Sequence, residues 1–250
     1  MNVSTNQYVP EFAIIVGVFF GLVAIISGAI LNWGLTATVF ACATGSYPFI
    51  GFGVLRDENP AETIRPRWVL ILGALIGMLG TVGTLYTMFG GHNSVAAVIN
   101  SLFIGFILMS PPASYAVHYG VNVNPLTPQV TAGGCLLVGI GYMFVGLISV
   151  PLIGVLLGSG IGISGALYAT ARGVTPTQQT KRQVAVLSGI VGITVAFIGT
   201  VGVGYVGNSG NINSGEWLFV GAAIAFAPSL YTALTGGQTS KQESAWFFNK

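Results

Sequence analysis

Inside the long apolar runs of this chain, the side chains able to do chemistry are one amide and a set of hydroxyls. They are Asn100 and Ser101, Ser110 just ahead of Pro111-Pro112, and Thr81, Thr84, Ser159, Ser164, Thr194 and Thr200. An amide in an apolar setting needs a partner, so Asn100 could coordinate an ion or ligand, or pair with a neighbouring subunit. Two consecutive prolines remove two backbone donors, so they kink a helix or end its regular part and leave carbonyls in need of another donor. A broken helix of that kind can mark a transport site, although a plain kink is the commoner use. Asn100, Ser101, Ser110 and Pro111 are therefore the candidate pathway or packing residues. The other hydroxyls suit inter-helix packing, where small side chains let helices approach closely.

Most other chemistry is excluded. No Asp, Glu, Lys or Arg interrupts the runs, and His92 and His118 fall at their ends. A carboxylate proton relay, an Arg-rich voltage sensor or an acid-anchored Na⁺ site therefore cannot be built from this chain alone. Cys42 and Cys135 sit in apolar runs, where a thiol behaves as a small core residue, so neither a disulfide framework nor a zinc site is indicated. There is no paired-aspartate diphosphate motif, no HExxH and no GxSxG. Gly139-Ile140-Gly141 follows no strand and is not a nucleotide loop. No run contains a lysine that could hold retinal as a Schiff base. No catalytic or cofactor-binding residue is expected, and no metal ligand can be named.

The elements that carry these residues follow from composition. Only 14 of 250 residues are charged (8 Lys+Arg and 6 Asp+Glu), against roughly a quarter in a soluble domain. With 53% hydrophobic residues and 37 glycines, the chain has more apolar surface than one core could bury. Glycine-rich apolar runs are what packed transmembrane helices use. An all-α, polytopic transmembrane bundle forming a single integral membrane domain over 1–250 is expected. A net charge of +2 without any Lys/Arg cluster excludes nucleic acid as a partner. Residues 1–11 are polar and lack the cationic start of a secretory signal, so the first apolar run is expected to be retained.

Charges are so sparse that the gaps between them measure the spans. Glu11 and Arg56 enclose 44 uncharged residues, Arg67 and Arg172 enclose 104, Arg182 and Glu216 enclose 33, and Glu216 and Lys241 enclose 24. At about 20 to 25 residues per crossing, these gaps hold two, four, one and one helices. Breaks at Asn32-Trp33-Gly34, Gly90-Gly91-His92-Asn93, Tyr119 to Gln129 and Ser149-Val150-Pro151 give spans near 12–31, 35–55, 68–89, 93–118, 130–148, 150–171, 183–207 and 216–236. The break at 149–151 carries the weakest signal, and its loss would leave seven crossings. With eight, all eight basic residues (Arg56, Arg65, Arg67, Arg172, Lys181, Arg182, Lys241 and Lys250) share one face, which the positive-inside rule makes cytoplasmic together with both termini.

An internal echo runs through these spans. Arg67-Trp68-Val69-Leu70-Ile71-Leu72 is followed by spaced glycines, as is Arg182-Gln183-Val184-Ala185-Val186-Leu187, and Phe20-Gly21-Leu22-Val23 parallels Val145-Gly146-Leu147-Ile148. A true duplication would give two four-helix halves in the same orientation.

The pattern resembles the MtrC family, membrane components of the archaeal tetrahydromethanopterin S-methyltransferase, the Mtr complex. The likeness covers Val9-Pro10-Glu11, Val123-Asn124-Pro125-Leu126, the stretch Thr175 to Tyr205 and Glu216-Trp217-Leu218-Phe219, in matching helix order. One departure is that residues 172–182 lack the Pro-Phe-Asn element and the acids that the family places before its penultimate helix. The resemblance implies a non-catalytic membrane subunit of a Na⁺-translocating complex of methanogenesis and one-carbon metabolism. That complex passes a methyl group from methyl-tetrahydromethanopterin to coenzyme M. The corrinoid would sit on a partner subunit, Na⁺ would be the coupling ion, and the partners would be other membrane and corrinoid-bearing subunits and lipids. The competing readings are a stand-alone channel or transporter for a small neutral solute, lined by Asn100 and the Pro111-Pro112 break, and a scaffold in another energy-coupling membrane complex.

The orientation is directly testable. A cysteine placed within 208–215 should be labelled by an impermeant thiol reagent from outside the cell, and one within 176–180 should not; the reverse pattern would overturn the topology.

Overall fold

The computed structural model describes residues 9–56, 64–88, 94–174, 176–206 and 214–247, with side chains within 12–53, 64–86, 95–174, 176–202 and 215–232. These residues form eight helices: α1 (Val9–Ile30), α2 (Leu35–Arg56), α3 (Pro66–Met88), α4 (Ser94–His118), α5 (Pro128–Ser149), α6 (Pro151–Ala171), α7 (Gln178–Val206) and α8 (Ser214–Phe247). No strand occurs among the described residues. Seven of the helices, α1 to α7, are long and apolar enough to cross a membrane. Large apolar side chains stand exposed along them, from Phe12 and Ile15 in α1 to Phe197 and Ile198 in α7. In water that surface would be untenable, whereas in hydrocarbon it is the solvent-matched side. The chain is a multi-pass helical membrane protein.

Local chemistry sets the helix ends. Thr127 accepts the Val130 amide at 3.4 Å, with Pro128 in the first turn of α5, so that helix starts two residues before its apolar run. Thr177 likewise accepts the Thr180 amide at 3.2 Å, which starts α7 at Gln178 where the apolar pattern alone predicts 183. The helices α4 and α6 end alike. Gly120 and Gly173 both have φ +82°, and Val121 and Val174 donate back to Ala116 and Ala169 at 2.9 Å. These are Schellman endings, in which glycine takes the left-handed conformation at no steric cost. Asn32, at φ 52°, fills the same position after α1, where Trp33 donates to the Gly28 carbonyl at 2.9 Å.

The junction at 149–151 is a real break. Val150 leaves the helical region (φ −145°, ψ 76°), its amide donates to the Gly146 carbonyl, and Pro151 opens α6. The two helices then run antiparallel in backbone contact, Gly146 on Gly154 and Gly139 on Gly158. A Cβ on any of these four would meet backbone of the opposite helix, so only glycine allows the approach. The last helix departs most from expectation. It continues to Phe247, 34 residues or about 51 Å, where the sequence pattern ends it near 236. The turn expected at 90–93, residues 208–213 and the side chains of Arg56, Lys241 and Lys250 lie outside the described residues.

The contacts divide the chain into two compact units, Met1–Val123 and Asn124–Lys250. In the first, α1 packs on α2, α3 on α4, and the two hairpins meet through α2 and α4. In the second, α5 packs on α6, α7 on α8, and the hairpins meet through α6 and α8. Both units therefore follow one plan, in which the second helices of two hairpins form the seam. The α2–α4 seam is parallel, with Thr36 bonded to Asn100, Phe40 stacked on Phe103 at 6.1 Å and Tyr47 bonded to Ile107, in that order along both helices.

Gly146→Leu should lower the thermal unfolding midpoint of the purified chain in detergent, in line with an overpacking cost of about 1–3 kcal/mol. Gly141→Leu, two residues from Gly139 but with nothing within 4 Å, should leave the midpoint unchanged. Equal effects of the two substitutions would contradict the Gly146–Gly154 contact.

Candidate functional site

The four residues singled out from the sequence lie on α4 in two separate places. Asn100 and Ser101 occupy its second turn, while Ser110 and Pro111 follow roughly 15 Å further along the axis. Asn100 is 6% exposed, and both ends of its amide are bonded within the unit. Its Oδ1 accepts from the Thr36 hydroxyl at 3.2 Å and its Nδ2 donates to the Ala96 carbonyl at 2.8 Å. Placed near the start of α4 and opposite the start of α2, it works as a tie between those helices. The Ser101 hydroxyl, fully buried, donates to its own helix at the Ala97 carbonyl, 2.6 Å away. Thr81, Thr84 and Thr194 do the same to the carbonyls four residues back.

The proline pair does not end α4, which continues to His118. Pro111 has no N–H to give to the carbonyl of Ile107, and two hydroxyls take its place. Tyr47 on α2 donates to that oxygen at 3.2 Å, and Ser110 donates to it at 3.3 Å. The acceptor released by the proline thus becomes a cross-link between α2 and α4. Composition singled out the proline. It gave no means of finding Tyr47, whose partner lies 60 residues away.

A second polar cluster belongs to the Asn124–Lys250 unit. The hydroxyls of Thr170 in α6 and Tyr231 in α8 lie 2.8 Å apart. Lys181, in the first turn of α7 and only 4% exposed, holds its ammonium 5.7 Å above the Tyr231 ring. Arg172 lies over the Tyr168 ring at 5.5 Å. Cations over aromatic faces are stabilised by the ring quadrupole, more so where water is partly excluded. The sequence places Lys181 in a basic loop; the cap at Thr177 instead winds it into α7 and folds it inward.

Tyr231 has a counterpart in the other unit. Both fourth helices carry Pro-x-x-Tyr, Pro112 to Tyr115 in α4 and Pro228 to Tyr231 in α8. Tyr115 donates to the Ile64 carbonyl at 2.8 Å and so pins the segment leading into α3. A repeated Pro-x-x-Tyr is the sequence signal that could have identified both tyrosines.

Among the described residues no three His, Cys, Asp or Glu side chains gather as metal ligands. The free thiols Cys42 and Cys135 lie in different units, with Cys135 packed against Gly165. What these arrangements can do is hold helices together by hydrogen bonds and place cations and aromatic rings near helix ends. Comparison of the chain with protein families, curated proteins and solved structures finds no match.

Removing both donors to Ile107 should cost more than the two single losses combined. Tyr47→Phe and Ser110→Ala each leave the carbonyl one donor, whereas the double variant leaves it with none, an added cost of about 1–3 kcal/mol. Strict additivity in a double-mutant unfolding cycle would show that the carbonyl has another partner.

Proposed function

We infer that the chain is a non-catalytic integral membrane subunit that acts by packing against other membrane helices. The observation that carries this reading is the outer face of α5. Gly134, Leu137, Gly141, Phe144 and Ile148 follow a three-four spacing, which aligns them along one side of the helix. Neither glycine has any atom within 4 Å of a would-be Cβ, and Leu137, Phe144 and Ile148 are 73%, 67% and 88% exposed. Glycine costs a helix about 1 kcal/mol relative to alanine. Alternation with large apolar residues gives that cost a purpose, because the glycines form notches for a neighbouring helix.

The assembly we propose is the Na⁺-translocating methyltransferase whose MtrC component the sequence pattern resembles. In that assembly the chain would help to form the ion path with acid-bearing partner subunits, with the corrinoid held on a partner. It would cross the membrane eight times with both termini in the cytoplasm. That topology is supported by the single-faced distribution of Lys and Arg and by the position of α8 alongside α7, with Gly221 on Gly192 and Trp217 on Gly199. The channel reading has less support from the geometry, because the Asn100 amide and the Ile107 carbonyl are already engaged between helices.

Purification of the native protein in mild detergent, with native-gel sizing and an absorption spectrum, tests this. A large hetero-oligomer carrying a corrinoid is expected, and the Gly134→Leu/Gly141→Leu variant should release the chain from it while leaving its own unfolding midpoint unchanged. A small, colourless homo-oligomer would overturn the proposal.

A further inference from the structure

A groove of about 790 Å³ opens between the start of α3 and the segment that follows α4. Arg65, Arg67 and Trp68 line one wall, and Tyr119 and Asn122 line the other. Both walls are fixed by contacts already described. Tyr115 holds the Ile64 carbonyl and so sets the approach to α3, and the Gly120 Schellman ending sets the course of the chain after α4. The ring of Tyr119 rests against Tyr115, with centroids 4.7 Å apart. Arg65 and Arg67 are exposed, and neither side chain has a hydrogen-bond or ion-pair partner among the described residues.

We propose that this groove binds the phosphate-bearing headgroup of an anionic membrane phospholipid. Two arginines lining one groove suit a phosphate, whose oxygens can accept paired N–H bonds from a planar guanidinium fork. The depth also fits, since the span Pro66–Tyr86 begins inside the groove and its opening therefore lies at the headgroup layer. What distinguishes a lipid from a soluble phosphate is the surface below. Trp68, 66% exposed, is followed along α3 by exposed Ile71, Leu72, Leu75 and Leu79. This apolar track descends from the charged end into the membrane, as an acyl chain beneath its own headgroup would. The inference requires only that the chain is a membrane protein and does not depend on the methyltransferase reading.

The test uses the full-length chain in neutral detergent, offered phosphatidylglycerol and phosphatidylcholine of identical acyl chains and read by native mass spectrometry. Phosphatidylglycerol should be retained in preference. Arg65→Gln/Arg67→Gln should weaken that retention by roughly tenfold or more, the loss expected when two cations cease to attract the lipid. Arg182→Gln, outside the groove, should not. If the double variant fails to fold, brominated-chain phosphatidylglycerol offered to the unaltered protein should quench a fluorescence component that Trp68→Phe removes, and brominated phosphatidylcholine should not. Equal retention of the two lipids, unchanged retention by the folded double variant, displacement of the lipid by millimolar inorganic phosphate, or equal quenching by the two brominated lipids would each overturn the proposal.

Discussion

Hydrocarbon offers no hydrogen-bond partner, so every backbone N–H and C=O within the bilayer must be satisfied by the protein itself. That constraint makes the chain helical, and it explains the use made of its polar groups. Hydroxyls fold back onto carbonyls of their own helix at Ser101, Thr81, Thr84 and Thr194. The carbonyl that Pro111 cannot serve is taken up by Tyr47 and Ser110. A break in one helix thereby becomes a bond between two. The same constraint makes glycine worth its cost at Gly146 and Gly154, where backbones can meet closely enough for dispersion to replace the missing hydrophobic drive.

The architecture was legible wherever one physical signal was enough. Sparse charges bounded the spans, and Ser149-Val150-Pro151, the weakest of the expected breaks, is a hairpin in which Val150 leaves the helical region and Pro151 opens α6. The polar stretch from Tyr119 and the charge at Arg172 marked the ends of α4 and α6, and the structure closes both with a glycine, Gly120 and Gly173. Boundaries shifted where side-chain capping overrode hydropathy. Thr177 adds Gln178 to Arg182 to α7, and the last helix runs on through polar residues past 236, where the apolar pattern ends the span.

The candidate site was less legible because its partners are distant in sequence. Asn100 was recognisable as an amide in need of a partner, but nothing local indicated Thr36, 64 positions earlier. Ser110 and Pro111 were recognisable as a perturbation, while the tyrosine that resolves it lay in another helix. The arginines of the groove were counted as orientation signals. Their role as a pair depends on the loop after α4 folding back beside them, which hydropathy does not encode.

The two units share a plan but stabilise it differently. In the first, a ladder of polar and aromatic contacts binds about three turns of α2 to about two of α4. In the second, the hairpin α5–α6 closes glycine on glycine, and the described hydrogen bond between α6 and α8 lies at one end, between Thr170 and Tyr231. Tyr115 and Tyr231, three residues after a proline in each fourth helix, both reach toward the basic residues of their own unit. Glycine-rich helices resemble one another through composition, so matched runs are weak testimony to duplication. A hairpin order and a tyrosine clasp that recur together are stronger, because composition constrains neither. The difference between the clasps then has a physical consequence: Tyr231 draws Lys181 inward over its ring, while Tyr115 holds the backbone ahead of Arg65 and Arg67, and both arginines remain exposed.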